Sequence, residues 1–153
     1  MVNIAFEPLR KKHVVIAQYL READKKEIED MARVCDYENM TPEMAVEYSI
    51  KATPFGYAAF VNGELAAIFG ISGEPPSGNI WLLGTDKITD HPLAFYFESK
   101  RVFLGISIEF DELYNWVGVE NTLTLRWLEW LGFEILSETE GFRFVRWKRK
   151  CAP

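Results

Sequence analysis

Histidine is nearly absent from this chain of 153 residues: His13 and His91 are the only two, which excludes a histidine-rich metal centre. Cysteine is as scarce. Cys35 and Cys151 fit no metal-ligand spacing and read as free thiols of a protein kept in a reducing compartment. No apolar run approaches the ~20 residues that a membrane span requires. The opening "MVNIAFEPLRKKHVV" lacks the long apolar stretch and cleavage pattern of a secretory signal. Basic charge is in deficit, 17 Lys and Arg against 23 Asp and Glu, which argues against non-specific nucleic-acid binding. There is no Ser-His-Asp or Cys-His arrangement, no phosphate-cradling loop, no repeat and no low-complexity segment. These absences lead to the expectation of a soluble, cytoplasmic protein without a metal.

What is present is ordinary globular composition, 48% hydrophobic and 26% charged. The length suits one domain, expected over residues 1–150, with residues 151–153 as a frayed tail.

Along the chain, "VNIAFEPLR" alternates like a strand that Pro8 ends. Residues 13–34 carry apolar side chains at helical spacing, interrupted by the charged "READKKE", and predict two short helices or one bent one. "MTPEMAVEYSIKATP" predicts a helix with Thr41 as cap and Pro42 in the first turn. "FGYAAFV" and "ELAAIFGI" flank Asn62 and Gly63, the strongest short hairpin signal because both turn positions need positive φ. "NIWLLGTD" extends this meander. From Pro92 onward Phe95, Ser99, Val102, Phe103 and Ile106 share one helical face, with Asp90 as the expected N-cap. "LYNWVGV" reads as a strand, and "ENTLTLRWLEWLG" as a helix capped by Asn121 and stopped by Gly132. "FEILSETEG" and "FRFVRWKR" form a terminal hairpin. The step from "NIWLLGTD" through a helix to "LYNWVGV" favours a parallel crossover. The expected fold class is α/β (α+β): a mixed sheet of six or seven strands, helices on both faces and a C-terminal β-hairpin.

This order resembles the GCN5-related N-acetyltransferases, or GNAT proteins, over nearly the whole chain. The family's Asn, Ala, Leu-Tyr-Glu and Leu-Gly-Phe pattern is matched here at Asn121, Glu129, Leu131, Gly132 and Phe133. Thr124 stands at the usual Ala and Leu128 at the usual Tyr. The segment "LYNWVGVENTLTLRWLEWLGFEI" is also similar, more loosely, to the GNAT-like internal virion proteins of short-tailed bacteriophages. The resemblance implies acetyl-CoA as cofactor. Its arm would run along Leu82, Leu83, Gly84 and Thr85, its diphosphate would meet the loop holding Lys87 and His91, and Asn121 would offer a side-chain amide. Tyr114 could replace the missing Tyr as acid, and either Glu98 or Asp86 could serve as base if it faced the cleft, with Glu74 as a similar alternative.

Two functional parts of the family pattern are missing. No glycine lies between Gly84 and Gly105, so "KITDHP" has none to curl around phosphate. Leu128 offers no proton to a leaving thiolate. The sequence therefore leads to the expectation of a catalytically degenerate GNAT-like phage protein, packaged in a virion or related to ejection and acting through protein contacts. The alternative is an acyl-CoA-dependent N-acetyltransferase with an atypical diphosphate loop. A protein partner would meet Trp127, Trp130 or the basic strand of Arg143, Arg146, Lys148, Arg149 and Lys150.

Overall fold

A computed structural model describes residues 1–150. The expected tail and Cys151 lie outside the described residues. Seven strands form one mixed sheet: β1 (Ile4–Pro8), β2 (Phe55–Val61), β3 (Glu64–Ser72), β4 (Ser77–Gly84), β5 (Glu112–Gly118), β6 (Glu134–Thr139) and β7 (Phe142–Lys148). Their spatial order is β1-β2-β3-β4-β5-β7-β6, with every neighbouring pair antiparallel except β4 and β5. The expected crossover is thus present. β7, the basic strand, lies between β5 and β6, so it is not a sheet edge; β6 is.

The helices are a 3-10 helix (Lys11–Tyr19), α1 (Glu22–Val34), α2 (Pro42–Lys51), α3 (Asp86–Asp90), α4 (Pro92–Ile106) and α5 (Thr122–Leu131). Local chemistry sets several of their ends. The Thr41 hydroxyl accepts from Met44 N–H at 3.1 Å, and Pro42 opens α2. Asn62 and Gly63 both have positive φ, 50° and 83°, which matches the twist of the β2–β3 hairpin. Gly132, at φ 105°, ends α5 in the left-handed region. Asp90 does not cap α4. It ends the short helix α3, and His91 occupies the N-cap position of α4.

Two apolar cores sandwich the sheet. On one face α4 and α5 bury Phe95, Phe103, Trp127 and Leu128 against Phe69, Ile80 and Leu82. Trp127 meets Phe69 edge-on with centroids 5.6 Å apart, and its indole N–H donates to the Ser99 hydroxyl at 2.9 Å. The Tyr96 hydroxyl donates to the Leu123 carbonyl at 2.8 Å and ties α4 to α5. On the other face the 3-10 helix and α2 cover Ala58, Ile68 and Leu83 with Ile16, Leu20 and Val46. The close approach of β2 to β3 depends on Gly70, where an added Cβ would stand 2.6 Å from the Phe55 carbonyl oxygen. Among the described residues no helix is long and apolar enough to cross a membrane.

Candidate functional site

β4 and β5 are in register only over three positions, where Ser77, Gly78 and Asn79 face Glu112, Leu113 and Tyr114. Beyond them the strands part. Just past the fork Asn115 Nδ2 donates to the Ile80 carbonyl at 2.7 Å. Two residues on, Leu82 follows the same alternation. Gly84 turns both its N–H and C=O away from β3, Ile80 turns its carbonyl toward β5, and Leu82 lies between them in phase. Its N–H and C=O therefore enter the gap with no strand partner, a backbone donor and acceptor available to an extended ligand.

The wide end of the gap is closed by the start of α1. Arg21, Asp24 and Glu27 are three residues apart, so they share one helix face. Gly84 N–H donates to Asp24 Oδ2 at 2.9 Å, and Arg21 N–H donates to the Gly84 carbonyl at 2.9 Å. Across the gap Gly118 N–H donates to Glu27 Oε1 at 2.7 Å. Asn121 joins the two sides: its Nδ2 donates to Glu27 Oε2 at 2.7 Å, and its Oδ1 accepts from Arg21 Nη2 at 3.1 Å. The Arg21 guanidinium grips Asp24 through two bonds of 2.9 and 3.0 Å. Asn121 sits at the N-cap position of α5, but its side chain does not cap that helix; it is committed to this network instead.

Burial governs the electrostatics here. Asp24 is wholly enclosed, and removal from water pushes its carboxyl up against the opposing pull of Arg21. Glu27 is raised from 4.5 to about 7, first by burial, with the Gly118 and Asn121 hydrogen bonds opposing. A carboxyl poised near neutrality is a proton acceptor tuned for general-base work.

Glu27 also lies on the wall of an apolar cavity of about 270 Å³ that occupies the gap. Trp81 and Leu83 of β4 and Trp116 and Val117 of β5 form its sides, and Thr124 and Trp127 of α5 close its inner end. Tyr37, Tyr48 and Trp116 rim it and are exposed to solvent. The Thr124 hydroxyl is buried and has no hydrogen-bond partner. On the other side of Glu27 is a polar cavity of about 450 Å³ with Glu22, Lys26, Asp30 and Glu120 on its walls.

The residues singled out from sequence divide between the gap and elsewhere. Leu82, Leu83 and Gly84 line the gap, and Asn121 closes it. Thr85 does not face it: its N–H donates to the Ala66 carbonyl at 2.8 Å and its hydroxyl caps α3 through Lys87 N–H at 3.2 Å. Residues 87–90 are helical rather than a phosphate-cradling loop, and Lys87 pairs with Glu64 at 2.8 Å. His91 is exposed where α3 meets α4, and Asp86 is exposed in the first turn of α3. Glu74 is exposed in the loop before β4. Tyr114 is half-buried at the last paired position of β5, before the fork opens. Glu98 is not on the gap; it pairs with Arg101 at 2.9 Å on α4, beside the first residues of the chain. Leu128 is buried at the cavity's inner end.

The partner candidates also divide. Trp127 is fully buried and cannot touch another protein, whereas Trp130 is 44% exposed beneath the Lys100 ammonium, 4.8 Å from its ring. In the basic strand, Arg143 donates to the Leu136 carbonyl, and Arg149 donates to the Phe110 and Ser107 carbonyls. Sequence reasoning missed Arg21, Asp24 and Glu27. Their signal was the three-residue spacing inside "READKKE", which reads as a charged break.

No family model and no curated protein matches the chain. Solved structures do. PaiA N-acetyltransferase from Thermoplasma acidophilum, solved in complex with coenzyme A, superposes with TM-score 0.64 at 13% identity, over 96% of this chain and 99% of that one. The GNAT domain of PAT from S. lividans gives 0.67 at 12% identity, over 94% and 89%. An acetyltransferase of the GNAT family from Streptococcus pneumoniae gives 0.55 at 14%, over 95% and 99%. The chain has the GNAT-like fold that its sequence resembles.

Proposed function

We propose that this protein is an acyl-CoA-dependent N-acyltransferase that works in the gap between β4 and β5. The observation that carries the reading is Glu27, a carboxyl held near neutrality on the wall of an apolar cavity at a forked parallel strand pair. The likeness to acetyltransferases, one of them solved with coenzyme A, supports it.

The residues present fit the thioester end of acyl-CoA. Leu82 offers an unpaired backbone donor and acceptor where the strands part, and the cavity beside it is apolar. When bound, acyl-CoA supplies an acyl group already activated as a thioester. The chain's own tasks are then orientation and proton handling. With acyl-CoA bound, Glu27 would accept the proton that the acceptor nitrogen loses as the acyl group passes from sulfur to nitrogen, and the sulfur would leave as thiolate and take its proton from solvent at the open rim. Gly118 N–H and Asn121 Nδ2 hold that carboxylate in place.

Thermal shift with acetyl-CoA, paired with detection of released thiol, tests the reading. At about a hundredfold over its dissociation constant a ligand of the native state adds about 2.7 kcal/mol. No shift at millimolar acetyl-CoA would remove the enzyme.

A second reading, a non-catalytic GNAT-like protein acting through contacts, is favoured by one observation. The Gly84 and Gly118 amides at the wide end are taken by Asp24 and Glu27, and residues 85–91 hold no glycine. A place within a phage particle would belong to this second reading, and detection of the protein in purified particles would support it.

A further inference from the structure

The cavity's wall chemistry narrows what can enter it. Its surface is overwhelmingly apolar, and among the described residues only four non-aromatic polar ones line it: Glu27, Ser49, Asn115 and Thr124. Asn115 is spent on the Ile80 carbonyl. A sugar or another polyhydroxylated amine would bury hydroxyls there without partners, at a cost of about 1–3 kcal/mol each. The body of the occupant must therefore be apolar. Its charge is set as directly. Among the described residues Glu27 is the only acidic or basic one that lines the cavity, so above pH 7, where its carboxyl is ionised, the cavity complements one cationic group.

The entrance agrees. Tyr37 and Tyr48 are 62% and 72% exposed, and Trp116 is 38% exposed, three aromatic faces around an opening with no charged residue beside them on the cavity wall. Aromatic faces attract a cation in transit and stack on a ring once it is seated. The unpartnered Thr124 hydroxyl at the inner end offers one hydrogen bond to the same occupant. Size limits the rest: pockets for drug-sized ligands run to about 300–1,000 Å³, so about 270 Å³ suits a molecule of one or two rings.

We propose that the cavity between β4 and β5 binds a small hydrophobic primary amine of the arylalkyl type, its nitrogen against Glu27 and its ring among Trp81, Trp116 and Tyr48. Its role as acyl acceptor rests on the acyltransferase reading; its binding does not.

The probe is 2-phenylethylamine, titrated against intrinsic tryptophan emission with no thioester present, since Trp81, Trp116 and Trp127 all line the cavity. Two comparators separate charge from ring: 2-phenylethanol keeps the ring, and ethanolamine keeps the amine. The expected result is saturable binding of 2-phenylethylamine at least tenfold tighter than either comparator. Glu27→Gln should weaken the amine about tenfold and leave 2-phenylethanol unchanged. Tyr48→Ala, at an exposed position where folding is not at stake, should weaken the amine severalfold. Absence of saturable binding overturns the proposal, and so does equal binding of 2-phenylethanol, which would mark a pocket for an uncharged chain. Acetyl-CoA thermal shift run beside it keeps the two readings apart. Amine binding without an acetyl-CoA shift retains the cavity's ligand class and removes the transferase. An acetyl-CoA shift without amine binding does the reverse.

Discussion

Glu27 gives a prediction whose size and sign both follow from the structure. Its carboxyl moves from 4.5 to about 7 on folding, chiefly because it is buried beside α5. At about 1.4 kcal/mol per pH unit, the ionised folded form is disfavoured by about 3 kcal/mol. The folded pKa is raised, so between pH 4.5 and 7 the native state holds a proton that the unfolded chain has released. The contribution is fully present below pH 4.5 and is lost as the pH rises through 7. Glu27→Gln removes the titration while its side-chain carbonyl still accepts from Gly118 N–H. Its amide then opposes the Asn121 amide, which costs about 1 kcal/mol at low pH. Stability measured by thermal and denaturant unfolding from pH 4 to pH 8 should therefore cross: the wild type is firmer at pH 4 and the variant at pH 8. For a chain of this size about 3 kcal/mol corresponds to about 6–12 °C in Tm. Asp24 and Arg21 also face Glu27, but both remain in the variant, so the difference between the two profiles isolates Glu27. Parallel profiles would refute the claim that burial raises this group.

Two further substitutions probe the frame around the site. Gly70→Ala places a methyl 2.6 Å from the Phe55 carbonyl and from Thr53 Cγ2, and 2.8 Å from Gly56 Cα; β2 and β3 must separate, and urea unfolding should show a loss of about 2 kcal/mol or more. Asp24→Asn leaves the enclosed Arg21 without its countercharge and should lower stability by about 3 kcal/mol. Under the acyltransferase reading the same change loosens the hold on Gly84 and enlarges the acetyl-CoA thermal shift relative to the wild type; an unchanged or smaller shift contradicts it.

Local chemistry was legible in the sequence wherever it stayed local. Thr41, Asn62 with Gly63, and Gly132 set their own turns and caps through neighbours within a few residues, and each does so in the structure. The parallel crossover followed from the order of the elements. Leu82, Leu83, Gly84 and Asn121 were reached through resemblance, and the gap between β4 and β5 brings them together. The closure of that gap was not legible. Asp24 meets Gly84 sixty residues away, and Arg21 and Glu27 meet Asn121 and Gly118 at separations of 91 to 100. No local pattern encodes such partners. The tryptophans failed differently: Trp127 and Trp130 are three apart and point only about 60° from each other around the helix, so spacing alone could not say that one is enclosed and the other half-exposed.

The two functional readings diverge over the first turn of α1. A donor carrying a diphosphate, if it uses the Gly84 amide, must displace Asp24 from it, while Glu27 stays on Gly118 N–H, where the acyltransferase reading needs it. Asp24 is also bonded to Arg21 inside the protein, and breaking such an enclosed pair costs about 3–5 kcal/mol unless the incoming anion takes over the guanidinium. Unrecovered, that cost would weaken donor binding by at least about a hundredfold. The anion is itself a fitting partner for Arg21, whose planar fork suits phosphate as well as carboxylate. Displacement can therefore return much of what it costs, while Asp24, already raised by burial, gives up its amide more readily than an ordinary carboxylate would. An amine entering between Tyr37 and Tyr48 displaces none of this network. Under the acyltransferase reading the cavity therefore fills first and the closed end opens second, and Arg21 is the residue that must take over the incoming anion.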